Sequence, residues 1–456
     1  MNAPRSASTP DRTRPPEPGQ LRPFHLGTPL NLDRPSGLRL RILREARVPL
    51  VSGCLVLDAG EAVVDPELAG LSILAGDALQ GGTEERSGAE LAEALERLGT
   101  HLRVSSGWDA TTVAFTCTAE RLPETLALLA EVVRRPAFPA DEVERIRNQQ
   151  LAGIEKRRKR PSQIADDRAD RTLHPAGHPF RRPMGGTEET VSGLDREAIV
   201  DWARARYRPG RAGLVLVGDL EPADVELLVE RHLGDWTGTT EPPPPLPAVK
   251  VPEPRPVVIA HRPGAVQTEI RIVHPGPPRR TPDLHPLQVA NSILGGAFTS
   301  RLNLNLRETH GFTYGVRSSL AMRRGGGQFE ISTAVGTEVT AAAVRESMKE
   351  LVAMVEDGPT EEETARARDY LAGVFPLQME TTAQLAARLA RLMIYDLPDD
   401  EYHRYRDEIR AVTRDAAHEA LARHVAPAGS PVVLCGDADA VGAEVEALGL
   451  GPLEVV

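Results

Sequence analysis

A segment repeated at a nearly constant distance constrains this chain more than any other feature. FPADEVERIRNQQLAGI at 138–154 matches GPTEEETARARDYLAGV at 358–374, an offset of 220 residues. The apolar run LVLVGD at 214–219 and the helical pattern after it match VVLCGD at 432–437 and its helix, an offset of 218. Ser72-Ile73-Leu74 falls 220 residues before Ser292-Ile293-Leu294. Three matches in one order at one spacing imply two copies of a single unit of about 210 residues. Between the copies lies GTTEPPPPLPAVKVPEPRP at 238–256. Consecutive prolines fix φ and remove N–H donors, so this stretch joins no helix or sheet interior and reads as an extended, semi-rigid linker. The expected division is a disordered leader over 1–24, one domain over 25–237, the linker over 238–256 and a second domain over 257–456.

Each copy runs strands, helices, strands, helices, a strand and a helix, which is an α+β order and not a doubly wound one. In the first copy, Leu38 to Leu57 suits a pair of strands that open a sheet, and Pro66 to Leu79 a mostly apolar, buried helix. Ser87 and Glu90 form a capping box ahead of Leu91, Leu95 and Leu98, which share one helix face that Gly99 closes. Thr112 to Thr118 alternates with Val113, Phe115 and Cys117 on one side, as a half-buried strand does. Helical patterns follow near Leu122–Arg134 and Pro139–Lys159, then a short buried strand at Leu214–Val217 and a helix at Ala223–His232.

The net charge of −11 argues against binding nucleic acid or an anionic membrane surface. The basic run at 156–160 fits a solvated helix end, where cations complement the helix dipole. The leader is rich in Pro, Arg and Ser without the apolar core of a signal peptide, and no stretch is long enough to span a bilayer, so a cytoplasmic protein is expected. Cys54, Cys117 and Cys435 are far apart in apolar runs, which suits buried free thiols. His174 and His178 have the i, i+4 spacing of helical metal ligands, but Pro175, Gly177 and Pro179 argue against a helix, so the rings are not expected to share a face.

The chemistry concentrates in SRLNLNLRETHGFTYGV at 300–316, after Gly295-Gly296. Leu302, Leu304 and Leu306 alternate with polar residues, a pattern that fits a strand or a helix closed by Gly311. Arg307 offers a fixed fork of donors and Tyr314 a neutral phenol donor. Together they could grip a peptide carbonyl as charge builds on its oxygen. Spacing alone leaves open a surface cation and a core phenol.

Two such halves with this segment resemble the insulinase/pitrilysin family of zinc metallopeptidases, the inverzincins, over nearly the whole chain after residue 24. The second half looks most like the bacterial, mitochondrial-processing-peptidase branch, on PGAVQTEIRI, HPGPPR and ILGGAFTSRLNLNLRETHGFTYGVRSS. The resemblance implies two α/β roll domains in tandem, forming one half of a clamshell. It also implies that Arg307 and Tyr314 hold substrate and stabilise the tetrahedral intermediate, with Gly295 and Gly296 permitting a tight turn nearby. The family's first half carries an inverted H-x-x-E-H zinc signature and a later glutamate. Aligned on Gly70-Leu71 and Gly82-Thr83, those positions are Ile73, Gly76 and Asp77, and the later glutamate falls on Gly153. Ile and Gly offer no donor atom, and Asp77 alone does not supply the three protein ligands a catalytic zinc needs.

The resemblance then implies a non-catalytic, substrate-binding subunit with no metal of its own. Its partners would be a zinc-bearing paralogous subunit and a peptide cut in a closed chamber. The alternative is a structural or peptide-binding scaffold with no role in proteolysis.

Overall fold

The computed structural model describes Thr13 and residues 26–456, so the expected leader lies, apart from Thr13, outside the described residues. Two six-stranded mixed sheets carry the fold. The first contains β1 (Leu30–Asp33), β2 (Arg39–Arg44), β3 (Leu50–Leu57), β4 (Arg103–Ser106), β5 (Thr111–Thr118) and β6 (Gly213–Gly218), in the order β1-β2-β6-β3-β5-β4. The second contains β7 (Val257–His261), β8 (Gln267–Gly276), β9 (Val316–Met322), β10 (Gly327–Gly336), β11 (Val432–Gly436) and β12 (Leu453–Val455), in the order β12-β7-β11-β8-β10-β9.

The repeat is therefore a repeat of topology. β2 pairs parallel to β6 as β7 does to β11, and β3 pairs antiparallel to β6 and β5 as β8 does to β11 and β10. Only the outer edge differs: β1 enters ahead of β2 and runs antiparallel to it, whereas β12 returns from the chain's end and runs parallel to β7.

Local chemistry places the elements much where the residues predict them. The capping box of Ser87 and Glu90 opens the helix Gly88–Arg97, whose Leu91 and Leu95 are buried. The repeated segments form the helices Ala140–Arg158 and Glu361–Val374. All three cysteines are buried free thiols. β6 is buried along its whole length, and so is β11. A strand can be apolar on both faces only if both faces are covered.

One face of each sheet packs on helices of its own copy: Leu126, Leu129 and Val229 lie in one core, Val344, Leu351 and Val441 in the other. The opposite face is covered by the other copy. The helix Thr382–Tyr395, from the second half, lays Leu385, Leu389, Leu392 and Met393 against Cys54, Val56, Val215 and Val217. The helix Pro161–Leu173, from the first half, lays Ala165, Ala169 and Leu173 against the second sheet's Val258, Val273, Val433, Ala260 and Cys435.

The proline-rich stretch is not a free spacer. It has no regular secondary structure, yet it is pinned to both halves. Gly210 N–H donates to Gly238 O, and Arg206 donates to Glu241 O. Val249 packs with Leu173 and Val258, and Val251 lies against Gly429.

The hairpin tips of the two sheets also meet. Arg324, between β9 and β10, donates to Asp58 at 2.6 Å, and its backbone N–H donates to Asp109, between β4 and β5. Asp58 is also held by Arg211, so a carboxylate only 5 % exposed faces two guanidinium groups. Burying such a charge is tolerable only when it is paired in this way.

Candidate functional site

The first half's helix Leu71–Ala78 is anchored by Glu61, which is fully buried. Its carboxylate accepts from Gly70 N–H at 2.7 Å and from Ser72 Oγ at 2.7 Å, as an anion at a helix N-terminus should. Burial pushes the Glu61 carboxyl up, against the pull of those donors and of Arg182.

Along this helix Ile73 is half-buried, Gly76 buried and Asp77 exposed. A Cβ on Gly76 would stand 2.4 Å from Ser106 Oγ of β4. That hydroxyl donates to Ser72 O at 2.9 Å and shares a 2.9 Å hydrogen bond with Thr111 Oγ1. Glycine is needed at 76 because helix and strand touch there, and the place of a general base is filled by a serine. Gly153 is the opposite case: it is exposed on the helix Ala140–Arg158, with nothing within 4 Å of a Cβ. These residues do not fit a zinc ion. They supply one carboxylate, at Asp77, and no room for a second beside it.

His174 and His178 correct the sequence reading. They lie past the helix that ends at Leu173, yet their rings stack 4.7 Å apart. The bend through Pro175 does what a helical turn was not expected to do. Both are buried, and His178 Nδ1 accepts from Phe180 N–H. Phe180 in turn lies under the Arg323 guanidinium at 4.0 Å, with Trp108 on the same cation at 5.3 Å. The group is an aromatic and cationic joint between the halves, built by packing. Among the described residues one set of metal-ligating side chains converges, His261, Asp437 and Asp439. Its Asp437 caps the helix Ala438–Glu446, and His261 Nδ1 accepts from Ala438 N–H, so those groups already hold the local backbone.

In the second half the alternating residues 301–309 are helical, not a strand, and a turn through 297–300 separates them from an earlier helical stretch. Ser292–Gly296 and Asn303–Thr309 are wide, π-type turns, and Gly311 closes the second at φ +66°. Such turns splay side chains off the usual helical stripe. Leu302 and Leu306 point into the core, while Leu304 is 48 % exposed. Gly295 does not make a turn by a left-handed φ; a Cβ there would meet Ser318 N of β9 at 2.4 Å. Its smallness lets the helical segment lie on β9. Gly296 is exposed and a Cβ there would meet Asn291.

Arg307 is half-buried, with its guanidinium 4.5 Å from the ring centroid of Phe298 and 3.5 Å from Glu308. Tyr314 is 97 % exposed. It makes no hydrogen bond among the described residues. Phe298, itself 69 % exposed, had no weight in the sequence reading. Its signal was there, in an aromatic residue placed between a glycine pair and a polar Thr299-Ser300 step. Arg307, Phe298 and Tyr314 thus lie on solvent-facing parts of one segment, with a cation already oriented over a ring.

Known proteins resemble this architecture. A family model described as "Insulinase (Peptidase family M16)" matches residues 42–181, and one described as "Peptidase M16 inactive domain" matches residues 193–371. The uncharacterized zinc protease Rv2782c of Mycobacterium tuberculosis is 28 % identical over 347 residues, 75 % of this chain and 78 % of that protein. The mitochondrial cytochrome b-c1 complex subunit 1 of Homo sapiens is 26 % identical over 217 residues, 47 % of this chain and 44 % of that one. The crystal structure of a peptidase M16 inactive domain from Pseudomonas fluorescens superposes with a TM-score of 0.83 at 23 % identity, covering 90 % of this chain and 98 % of that one.

Proposed function

The chain belongs to the insulinase (M16) peptidase family, and from that premise we propose that it is an inactive, substrate-binding subunit working beside a zinc-bearing paralogue. The observation that carries this reading is the contrast between a general-base position closed off by Ser106 and a Tyr314 phenol that faces solvent almost completely. A donor with no hydrogen-bond partner among the described residues is free to act on something outside them.

In the assembled enzyme a zinc ion held by the partner would supply the Lewis acid for the scissile carbonyl. This chain's task is to hold the peptide and to meet the negative charge that grows on its oxygen. Arg307 supplies guanidinium donors whose direction Phe298 fixes, and Tyr314 supplies an O–H donor. Neither group must lose a proton to act. The peptidase reaction and the partner belong to this reading, and we place the protein in the cytoplasm as a separate proposal. No helix of the described residues is long and apolar enough to cross a membrane.

The test is the Tyr314→Phe variant, co-purified with the zinc-bearing paralogue from the same cells. Turnover of an unfolded peptide is expected to fall by about 10- to 100-fold, somewhat less than the loss typical of removing a full oxyanion donor, while the complex stays intact. Unchanged turnover in an intact complex sinks the assignment. The similarity to the cytochrome b-c1 subunit favours a second reading, a scaffold with no part in proteolysis. That reading predicts no peptidase partner at all.

A further inference from the structure

A cavity of about 280 Å³ lies between the helices Ala140–Arg158 and Pro161–Leu173, one residue beyond the vacated Gly153 position. Four arginines line it, Arg157, Arg158, Arg168 and Arg171, against one carboxylate, Asp167. In a chain with 65 acidic and 54 basic residues, such a concentration of cations is not a consequence of composition.

Two of the four are engaged. Arg158 is paired with Glu188 at 2.5 Å, and Arg157 donates to Gly186 O at 2.8 Å. Even so, Arg157 Nε is buried without a hydrogen-bond acceptor, its nearest carboxylate being Asp167 at 3.7 Å. The other two, half-buried Arg168 and exposed Arg171, have neither a side-chain hydrogen bond nor an ion pair among the described residues. The rest of the wall is Gly186, Thr187 and an apolar part in which Ile154 and Pro183 are buried and Ile164 half-buried.

We infer that this cavity is a subsite for a carboxylate of a bound peptide. The carboxylate would sit on Arg168 and Arg171, and the aliphatic part next to it on Ile154, Ile164 and Pro183. Planar guanidinium forks match a carboxylate two donors at a time, and the attraction strengthens in a cavity partly closed to water. Asp167 opposes the anion, so the subsite needs both free arginines. The inference rests on the peptide-binding reading above, though not on the partner or on hydrolysis. The carboxylate can come from the peptide's C-terminus or from an acidic side chain.

The test is fluorescence anisotropy of the full chain, without partner, using a dye-labelled unstructured peptide that ends in leucine and holds one internal glutamate. The Arg168→Gln/Arg171→Gln double variant is expected to bind it about tenfold more weakly, with Arg168→Lys/Arg171→Lys recovering part of the loss. If amidating the C-terminus of the peptide costs wild type the same factor, the C-terminus is the source. If replacing the glutamate by glutamine does so instead, the side chain is. Equal binding of all peptides by wild type and double variant, or no binding by wild type, overturns the inference. Binding is read on this chain alone and turnover only in the complex with its partner, so failure here is separable from failure of the turnover test. Circular dichroism of both double variants checks that the fold persists.

Discussion

In the first copy the helix Leu71–Ala78 runs regularly, and its Gly76 lies on Ser106 of β4. In the second, the helix Leu284–Asn291 opens into the wide turn Ser292–Gly296, and its Gly295 lies on Ser318 of β9. Both copies therefore bring a helix onto a hairpin strand through a glycine, and neither leaves room at that contact for a longer side chain. The two copies part at the next element. The first continues into a regular capped helix, Gly88–Arg97, whereas the second continues through a further π-type turn that carries Arg307 and ends near Tyr314. One packing solution can close a site in one half and leave the other half's donors outward, because local helix geometry rather than the sheet decides where the next side chains point.

The exchanged helices offer the strongest test of how alike the copies are. Leu389 is buried among large side chains against the first sheet, so Leu389→Ala is expected to cost about 2–5 kcal/mol by urea denaturation. The opposite contact is built from Ala165 and Ala169, both without exposed surface, and there enlargement is the damaging change. Ala169→Leu should cost about 1–3 kcal/mol through overpacking. Equal tolerance of both changes would mean that the halves do not rely on each other's helices.

The vacated base position and the vacated third-ligand position should respond with opposite signs. Gly76→Ala pushes a Cβ onto Ser106 Oγ and is expected to destabilise by about 1–2 kcal/mol. Gly153→Ala meets nothing and replaces a helix-interior glycine, so it should stabilise by about 0.5–1 kcal/mol. A stabilising Gly76→Ala would show that the Ser106 contact is slack.

The smallest net effect belongs to the joint between the halves, where two buried groups titrate in opposite senses. Burial pushes Asp170 up from 3.8 to about 7, with Arg323 and Gln328 opposing and Glu330 and Asp167 adding to the rise. Burial pulls His174 down from 6.5 to about 4, with His178, Arg323 and Arg181 adding and the Asp170 carbonyl opposing. Between about pH 4 and 7 the folded state holds a proton on Asp170 that the unfolded state has lost, so this group's contribution falls as pH rises. Between about pH 4 and 6.5 the unfolded state protonates His174 and the folded state does not, so that contribution rises with pH. The two offset each other in wild type. Asp170→Asn is expected to unmask a stability that climbs from pH 4 to 6.5, and His174→Phe one that falls from pH 4 to 7, both read from melting temperature against pH. A flat profile in both variants would remove the joint from the titration account.

Much of the architecture was written locally. The offset repeat, the alternation of Thr112–Thr118, the capping box at Ser87 and the apolar run Leu214–Val217 each carry their own period or cap, and each became the element its period demands. The loss of ligand atoms at Ile73 and Gly153 and of the base at Gly76 was likewise a matter of residue identity, since no fold gives a donor to a side chain that has none. Other features had no local signature. Leu302, Leu304 and Leu306 alternate as a strand would, and only the π-type winding between the core and β9 resolved them. Nothing in the residues 161–173 says which sheet their small face will meet, because an apolar stripe specifies burial and not a partner. The exchange of that helix for Thr382–Tyr395, the stacking of His174 on His178, and the serine that fills the place beside Gly76 are contacts between segments far apart in the chain. The sequence determined which groups are present and which elements they form; the tertiary structure alone decided which of them meet, because packing joins surfaces that no short-range pattern encodes.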